Sequence, residues 1–359
     1  MSHPRLSLAL EMPEALPPEG DIALFSPVGT LDLGGLPVDR LVAIQPEKPD
    51  HDVLAQRGLR VSPTAEGSYA AAIIFAPRAK AEARALIADA CQRVAPGGPI
   101  YVDGVKTEGI DSLLKELRGR VDLSAPIAKA HGKIAWFAAD PDLLSDWAAQ
   151  DIHPVEGFVT RPGVFSADAV DEGSALLAEC LPETLPAKVA DLGAGWGWLS
   201  AQILARKGVE RLDLVESDAV ALDCAKRNIS DPRAQFLWAD ATRHAPEERY
   251  TAVVMNPPFH GAARGADPAL GLAFIQAARG MLSLSGTLWM VANRHLPYAD
   301  ALATAFHEIE EITPPSGPST RFRIIRAAKP IPAGKTPGKS AGMRATAEPK
   351  RTLAPRKRR

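Results

Sequence analysis

Over residues 188–326, short apolar runs alternate with amphipathic helical segments, and that alternation restricts the chain to few architectures. Strands are predicted over 188–192, 212–216, 235–238, 251–255 and 287–292. Helices are predicted over 198–207, with Leu199 and Ile203 four apart, over 218–228 and over 268–282. A turn at Ser285-Gly286 precedes the fifth strand, a last helix covers 298–309, and a strand over 321–326 closes the unit. Strands joined by helices predict a parallel α/β sheet with helices on both faces.

The first half repeats this order more faintly. Apolar runs at 22–25, 40–45, 71–76 and 100–103 fall in the order of those at 188–192, 212–216, 251–255 and 287–292. The copy lacks the polar landmarks. A proline, Pro27, stands where the second half has a glycine-rich turn. Gln45 stands in place of Glu216, and Ala76-Pro77-Arg78 in place of Asn256-Pro257-Pro258-Phe259. A tandem duplication with a degenerate first copy accounts for the shared order. We expect a degenerate domain over 1–150, a second domain over 151–328 and a basic tail over 329–359. The first boundary is set by the breaks at His153-Pro154 and Arg161-Pro162-Gly163.

Charge separates the tail from the body. Residues 329–359 hold ten Lys/Arg against the single acid Glu348, a charge of +9. That leaves −11 on residues 1–328 of a chain whose net charge is −2. A basic, Pro/Gly-rich, aromatic-free arm buries too little apolar area to fold, so it is expected to be disordered. Such an arm suits phosphate backbones through counterion release. Cys91, Cys180 and Cys224 have neither metal-site nor disulfide-framework spacing, so no metal is expected. With no membrane span and no secretory leader in view, the reading is cytoplasmic.

The chemistry concentrates at the strand ends of the second half. Asp191-Leu192-Gly193-Ala194-Gly195-Trp196-Gly197 is a strand running into a glycine-rich turn before a helix. Such a turn lets backbone approach a ligand closely. Its G-x-G-x-G spacing is not the pyrophosphate-binding G-x-G-x-x-G, and no Walker sequence is present. Glu216, 25 positions after Asp191, ends the next strand, where a carboxylate can accept from both ribose hydroxyls of an adenosine ligand. Asp240-Ala241 ends the third strand, where an adenine amino group can be received. Asn256-Pro257-Pro258-Phe259 follows the fourth, 65 positions after Asp191. Two prolines fix the backbone and remove two N–H donors. The Asn256 side-chain oxygen and the Pro257 carbonyl are then free to accept from a planar NH₂ group, and Phe259 offers its ring a stacking face.

Together these residues resemble the class I S-adenosylmethionine methyltransferases that modify exocyclic or amide nitrogens. Arg161 to Ser166, His260-Gly261, Val291 to Tyr298 and Arg321 to Arg326 further resemble the bacterial ribosomal RNA guanine-N2 methyltransferases of the RsmC/RlmG type. The resemblance is strong over 155–328, weak over 20–140 and absent from the tail. Trp196 and Trp198 depart from the smaller residues common around this loop.

The resemblance implies two tandem Rossmann-like class I methyltransferase domains, the first degenerate. It implies S-adenosylmethionine as cofactor, held by Asp191, Gly193, Ala194, Gly195, Gly197, Glu216, Asp240 and Ala241. It implies a guanine amino group held by Asn256, Pro257, Pro258 and Phe259, with His260 as a candidate proton relay. The partner is then ribosomal RNA or the small ribosomal subunit; separately from the resemblance, a monomer is the expected state. An adenine or protein-glutamine methyltransferase uses the same Asn-Pro-Pro corner, and a non-catalytic ribosome-assembly factor could retain the fold.

Overall fold

The computed structural model describes residues 4–258, 268–332 and 344–345. Two sheets carry the chain. The first contains β1 (Ile22–Phe25), β2 (Leu41–Ile44), β3 (Arg60–Ser62), β4 (Ala71–Phe75), β5 (Pro99–Val105), β6 (Ile127–Lys129) and β7 (Gly132–Ala138). Their order is β3-β2-β1-β4-β5-β7-β6. The second contains β8 (Lys188–Leu192), β9 (Arg211–Glu216), β10 (Ala234–Trp238), β11 (Tyr250–Met255), β12 (Leu282–Asn293), β13 (Phe306–Ile312) and β14 (Phe322–Pro330). Their order, β10-β9-β8-β11-β12-β14-β13, is the same, with Arg344–Ala345 added as a short edge beside β13. The expected tandem pair of α/β domains is therefore present.

The central strands are apolar throughout because both faces are covered. Alternate residues of one strand enter different cores. Ala190, Leu192, Val253 and Met255 pack with Phe274, Ile275 and Ala278 of α8 (Pro268–Met281). Val189 and Val254 pack on the other face, with Leu177 of α5 (Glu172–Cys180), Ile203 of α6 (Trp198–Leu204) and Ala225 of α7 (Ala219–Asn228). In the first domain, Ala23 and Phe25 meet Ile87 of α3 (Lys80–Arg93) and Leu117 of α4 (Ile110–Arg118). Ile22 and Leu24 meet Leu6 of α1 (Pro4–Leu10) and Leu54 of α2 (Lys48–Gln56).

Four expectations are corrected. The sheets are mixed: β7 runs antiparallel to β5, and β14 antiparallel to β12. The predicted helix over 298–309 stops early, as α9 (Ala299–Ala305), and residues from Phe306 onward form β13. Its acids are matched across the strand pair. Glu308 pairs with Lys329, and Glu310 lies 3.8 Å from Arg326. Such cross-strand pairs favour the sheet over the helix. Ser285-Gly286 is not a turn before a strand but lies inside β12, whose register with β11 shifts between Tyr250 and Ala252. The folded part also reaches past residue 328, since β14 runs to Pro330 and Ile331 is buried. Residues 333–343 and 346–359 of the expected disordered arm lie outside the described residues.

The domains meet through equivalent loops. Lys48 N–H donates to the Ser217 carbonyl at 2.9 Å, and Ala219 N–H donates to the Pro46 carbonyl at 3.0 Å. The loop after β2 and the loop after β9 thus exchange matching bonds, as two subunits do across an isologous interface. The Trp238 indole N–H reinforces the seam, donating to the Ser217 carbonyl at 2.7 Å and to that of Pro46 at 3.0 Å.

Candidate active site

The glycine-rich turn follows β8 directly. Gly193, Gly195 and Gly197 have φ of 76°, 56° and 88°, in the left-handed region that side chains with a Cβ rarely adopt. A Cβ on Gly195 would project into open space, whereas one on Gly197 would meet Ile229 Cδ1 at 2.9 Å. Gly195 therefore keeps a ligand surface bare, and Gly197 admits a neighbouring side chain. The turn is held from behind by Asn228, whose amide donates to the Trp196 and Val159 carbonyls, each at 2.8 Å. Trp196 is buried against Val164, Ala221 and Cys224, and its indole N–H donates to the Phe165 carbonyl at 3.1 Å. The large residue within the turn thus fastens the segment around Phe165 over the site.

Glu216 ends β9 beside this turn. One carboxylate oxygen accepts from Gly195 N–H at 2.7 Å and the other from Asp218 N–H at 2.9 Å. It is only 9% exposed, and burial raises its pKa despite these bonds. Asp191 is more deeply buried. Its Oδ2 accepts from Ser200 Oγ at 2.6 Å, and its Oδ1 has no partner among the described atoms. Desolvation first, then the charge of Glu216, pushes its pKa to about 7.

Asn256 directly follows Met255, the last residue of β11, the strand paired with β8. Its Nδ2 donates to Asp171 Oδ2 at 2.8 Å and to Ser174 Oγ at 2.9 Å. Asp171 is also the N-cap of α5, accepting from Ser174 N–H at 2.8 Å. Pro257 is buried and Pro258 exposed.

One cleft brings together Gly193, Ala194, Gly195 and Asn256, with Phe165, Asp171, Ser174 and Trp198 on its walls. Asp191, Gly197, Glu216, Asp240, Ala241, Pro257 and Pro258 do not line it. Asp191 lies beneath the turn, and Glu216 behind Gly195. Asp240 lies after β10, where its Oδ1 accepts from Thr242 N–H at 2.8 Å and from Thr242 Oγ1 at 2.6 Å. Ala241 is buried beside it. Phe259 and His260 lie outside the described residues. Asp171 and Ser174 went unread in the sequence. The available signal was an acid capping an apolar helix, D-x-x-S, which by itself indicates only a helix start.

The turn, the carboxylate at the next strand end and the Asn-Pro-Pro corner stand at the C-terminal edge of one sheet, where open α/β sheets bind ligands. Comparison with known proteins decides the family. The model described as "Methyltransferase small domain" matches residues 156–325, and "Methyltransferase small domain N-terminal" matches residues 47–131. Ribosomal RNA small subunit methyltransferase C of Shewanella halifaxensis is 33% identical over 255 residues, covering 68% of this chain and 74% of that protein. The chain belongs to the ribosomal RNA small subunit methyltransferase C family. The Pseudomonas paraeruginosa member is 28% identical over 319 residues, 83% of this chain and 94% of its own length. The solved Thermus thermophilus 16S rRNA N2 G1207 methyltransferase (RsmC), in complex with AdoMet and guanosine, superposes with a TM-score of 0.72. It is 26% identical and covers 91% of this chain and 92% of its own.

The residues fit the family's cofactor, S-adenosylmethionine. The turn leaves a bare surface at Gly195, and a carboxylate stands at the end of the next strand. Among the described residues no helix is long and apolar enough to cross a membrane, and no cluster of His, Cys, Asp and Glu has metal-site geometry.

Proposed function

We propose that this protein transfers a methyl group from S-adenosylmethionine to the exocyclic amino group of a guanine in 16S ribosomal RNA. The observation that carries this reading is the orientation of Asn256. Both N–H groups of its amide are engaged by Asp171 and Ser174, so its oxygen is the atom left to accept from an amine in the cleft.

When bound, S-adenosylmethionine supplies a methyl carbon made electrophilic by its sulfonium, and the sulfur leaves as a neutral thioether as the new N–C bond forms. The chain supplies placement. Gly193, Ala194 and Gly195 shape the methionine end with backbone alone. Asp191 and Gly197 hold that turn from beneath and beside it. Glu216 receives the ribose hydroxyls, and the Asp240-Ala241 turn receives the adenine. The Asn256 oxygen and the Pro257 carbonyl accept from the guanine NH₂ and aim its nitrogen at the methyl carbon. Pro258 keeps the corner rigid, and Phe259 stacks on the ring. A paired guanine hides its amino group, so the base leaves its stack to reach the site. Alignment of this kind accounts for as much as about 7–11 kcal/mol of barrier. The amine loses its proton only after it has become cationic, so no strong base is needed.

The substrate is ribosomal RNA or the small subunit, which places the work in the cytoplasm. A monomer suffices, because the two domains already satisfy one another through equivalent loops. Nucleoside mass spectrometry of 16S rRNA from cells lacking the protein tests the reading. Loss of one N2-methylguanosine, restored by the wild-type chain and not by Asn256→Ala, supports it. An unchanged guanine complement with a lost methyladenine, or with a lost methylglutamine in a protein, overturns it in favour of the other amino-group acceptors.

A further inference from the structure

Beyond the Asn-Pro-Pro corner itself, the geometry points to Asp171 and Ser174 as positioning residues, the carboxylate of the first setting which end of the Asn256 amide faces the cleft and the hydroxyl of the second holding it in place. This rests on the acceptor role proposed for Asn256 and adds how that role is enforced.

An asparagine amide has two similar ends of opposite character: an oxygen that only accepts and an NH₂ that only donates. Turned one way, it receives a guanine amine. Turned the other, it opposes the amine with a second NH₂. Asn-Pro-Pro alone does not choose between them. Here the choice comes from a residue 85 positions earlier in the chain. Asp171 Oδ2 lies 2.8 Å from Asn256 Nδ2, and an ionised carboxylate has no hydrogen to donate. Reversing the amide would press oxygen against oxygen there, while the Ser174 hydroxyl, 2.9 Å from Nδ2, holds the amide in place and leaves the choice of end to the carboxylate. Asn256 Oδ1, in contrast, accepts from no other residue among those described. All three side chains line the same cleft as Gly193 and Gly195.

The carboxylate adds an effect that grows along the reaction. A negative acceptor on the NH₂ end of an amide strengthens the oxygen at the other end, because hydrogen-bonded groups polarise one another. The amine becomes cationic as it takes the methyl group. The Asp171–Asn256 relay therefore holds the transition state more tightly than the ground state, which is the condition for raising kcat rather than lowering KM.

The competing explanation is that Asp171 merely caps α5. Asp171→Ser separates the two. Serine is a good N-cap, but its hydroxyl is neutral and can donate as well as accept, so it does not dictate which end of the Asn256 amide faces it. The expected result is a folded protein whose S-adenosylmethionine affinity stays within about 3-fold of wild type while kcat falls roughly 10- to 100-fold. Ser174→Ala, which keeps the backbone cap, should lower kcat by a smaller factor, about 3- to 10-fold. A second readout needs no cofactor. In ¹⁵N–¹H spectra the Asn256 side-chain NH₂ pair, identified by its loss in Asn256→Ala, should exchange slowly in wild type and rapidly in Asp171→Ser.

Wild-type kcat in Asp171→Ser, or an Asn256 amide pair unmoved by it, overturns the proposal. So does a loss of cofactor affinity as large as the loss of kcat. Should Asp171→Ser fail to fold, Ser174→Ala decides alone through the same two measurements. Full activity in Asn256→Ala would instead remove the acceptor role itself, so the two failures are distinguishable.

Discussion

Gln45 and Glu216 occupy equivalent points of the two sheets, one residue beyond Ile44 of β2 and at the last residue of β9. Each accepts, at 2.9 Å, the N–H of the residue two positions on, Glu47 and Asp218 respectively. The turns they face match as well. Ser26 N–H donates to the Ile44 carbonyl, and Gly193 N–H to that of Val215, both at 2.9 Å. The polarity of the second bond is reversed. Glu216 accepts from Gly195 N–H, whereas Gln45 donates through Nε2 to the Pro27 carbonyl at 2.9 Å. The amide of Gln45 has thus kept the architecture and lost the anion.

Calorimetry should accordingly find one S-adenosylmethionine per chain. Glu216→Gln should weaken binding by about 10- to 100-fold, the loss of charged hydrogen bonds to ribose hydroxyls. At saturating cofactor its kcat should remain near wild type. A second site of similar affinity, or an unchanged Kd in Glu216→Gln, would contradict the assignment.

The glycines of the turn and of α8 should fail differently. Gly195→Ala meets no neighbour but holds φ at 56°, so a stability loss of about 1–2 kcal/mol is expected, with a larger fall in cofactor affinity. Gly271→Ala would drive a Cβ into the hydroxyl of the fully buried Tyr298. Overpacking of that kind costs about 1–3 kcal/mol or more. Thermal melts with and without cofactor separate the two. Equal losses of stability and of binding in both variants would not fit.

The buried Asp191 makes a pH prediction. Its folded pKa, about 7, lies above the value near 4 expected of an unfolded aspartate. Between those values the folded state holds the proton more often. Asp191 is therefore compatible with folding at low pH and erodes stability as pH rises toward 7, by at most about 1.4 kcal/mol per unit. Denaturant titrations of wild type and Asp191→Asn should give a stability difference that shifts in favour of the variant from pH 4 to pH 7. A constant difference over that interval would show that Asp191 is already ionised in the fold.

Much of this was legible because it is local. The apolar runs around β8, β9 and β11 are strands wherever they occur, and Gly193, Gly195 and Gly197 announce positive φ. The tandem order was legible for the same reason. What was missed depends on partners distant in sequence. The acids of β13 look helical until Arg326 and Lys329 are placed across from them. The bond from Asn256 to Asp171 spans 85 positions. The equivalence of the degenerate corner is confirmed by strand register. Phe25 pairs with Ile74 and Leu192 with Met255, so Phe75 stands where Asn256 does, and Ala76-Pro77 where Pro257-Pro258 do. Strand register sets that equivalence, and register is a property of the sheet.

The basic arm makes a separate prediction. Ile331 is buried, β14 ends at Pro330 and Arg344–Ala345 pairs with β13, so a truncation that spares every described strand removes 346–359. That truncation should leave the melting temperature unchanged, weaken RNA binding and reduce the slope of log K against log salt. An unaltered slope would mean that the arm touches no phosphate.

The central claim is that the Asn256 amide oxygen, at the edge of the cofactor cleft, receives the amine that is methylated. Single-turnover methyl transfer by Asn256→Ala to small subunits lacking the modification, with cofactor affinity measured on the same protein, tests it most directly. The account predicts a rate reduced by at least about 100-fold with S-adenosylmethionine affinity within about 3-fold of wild type. A near-normal rate, or a fall in affinity equal to the fall in rate, would contradict it.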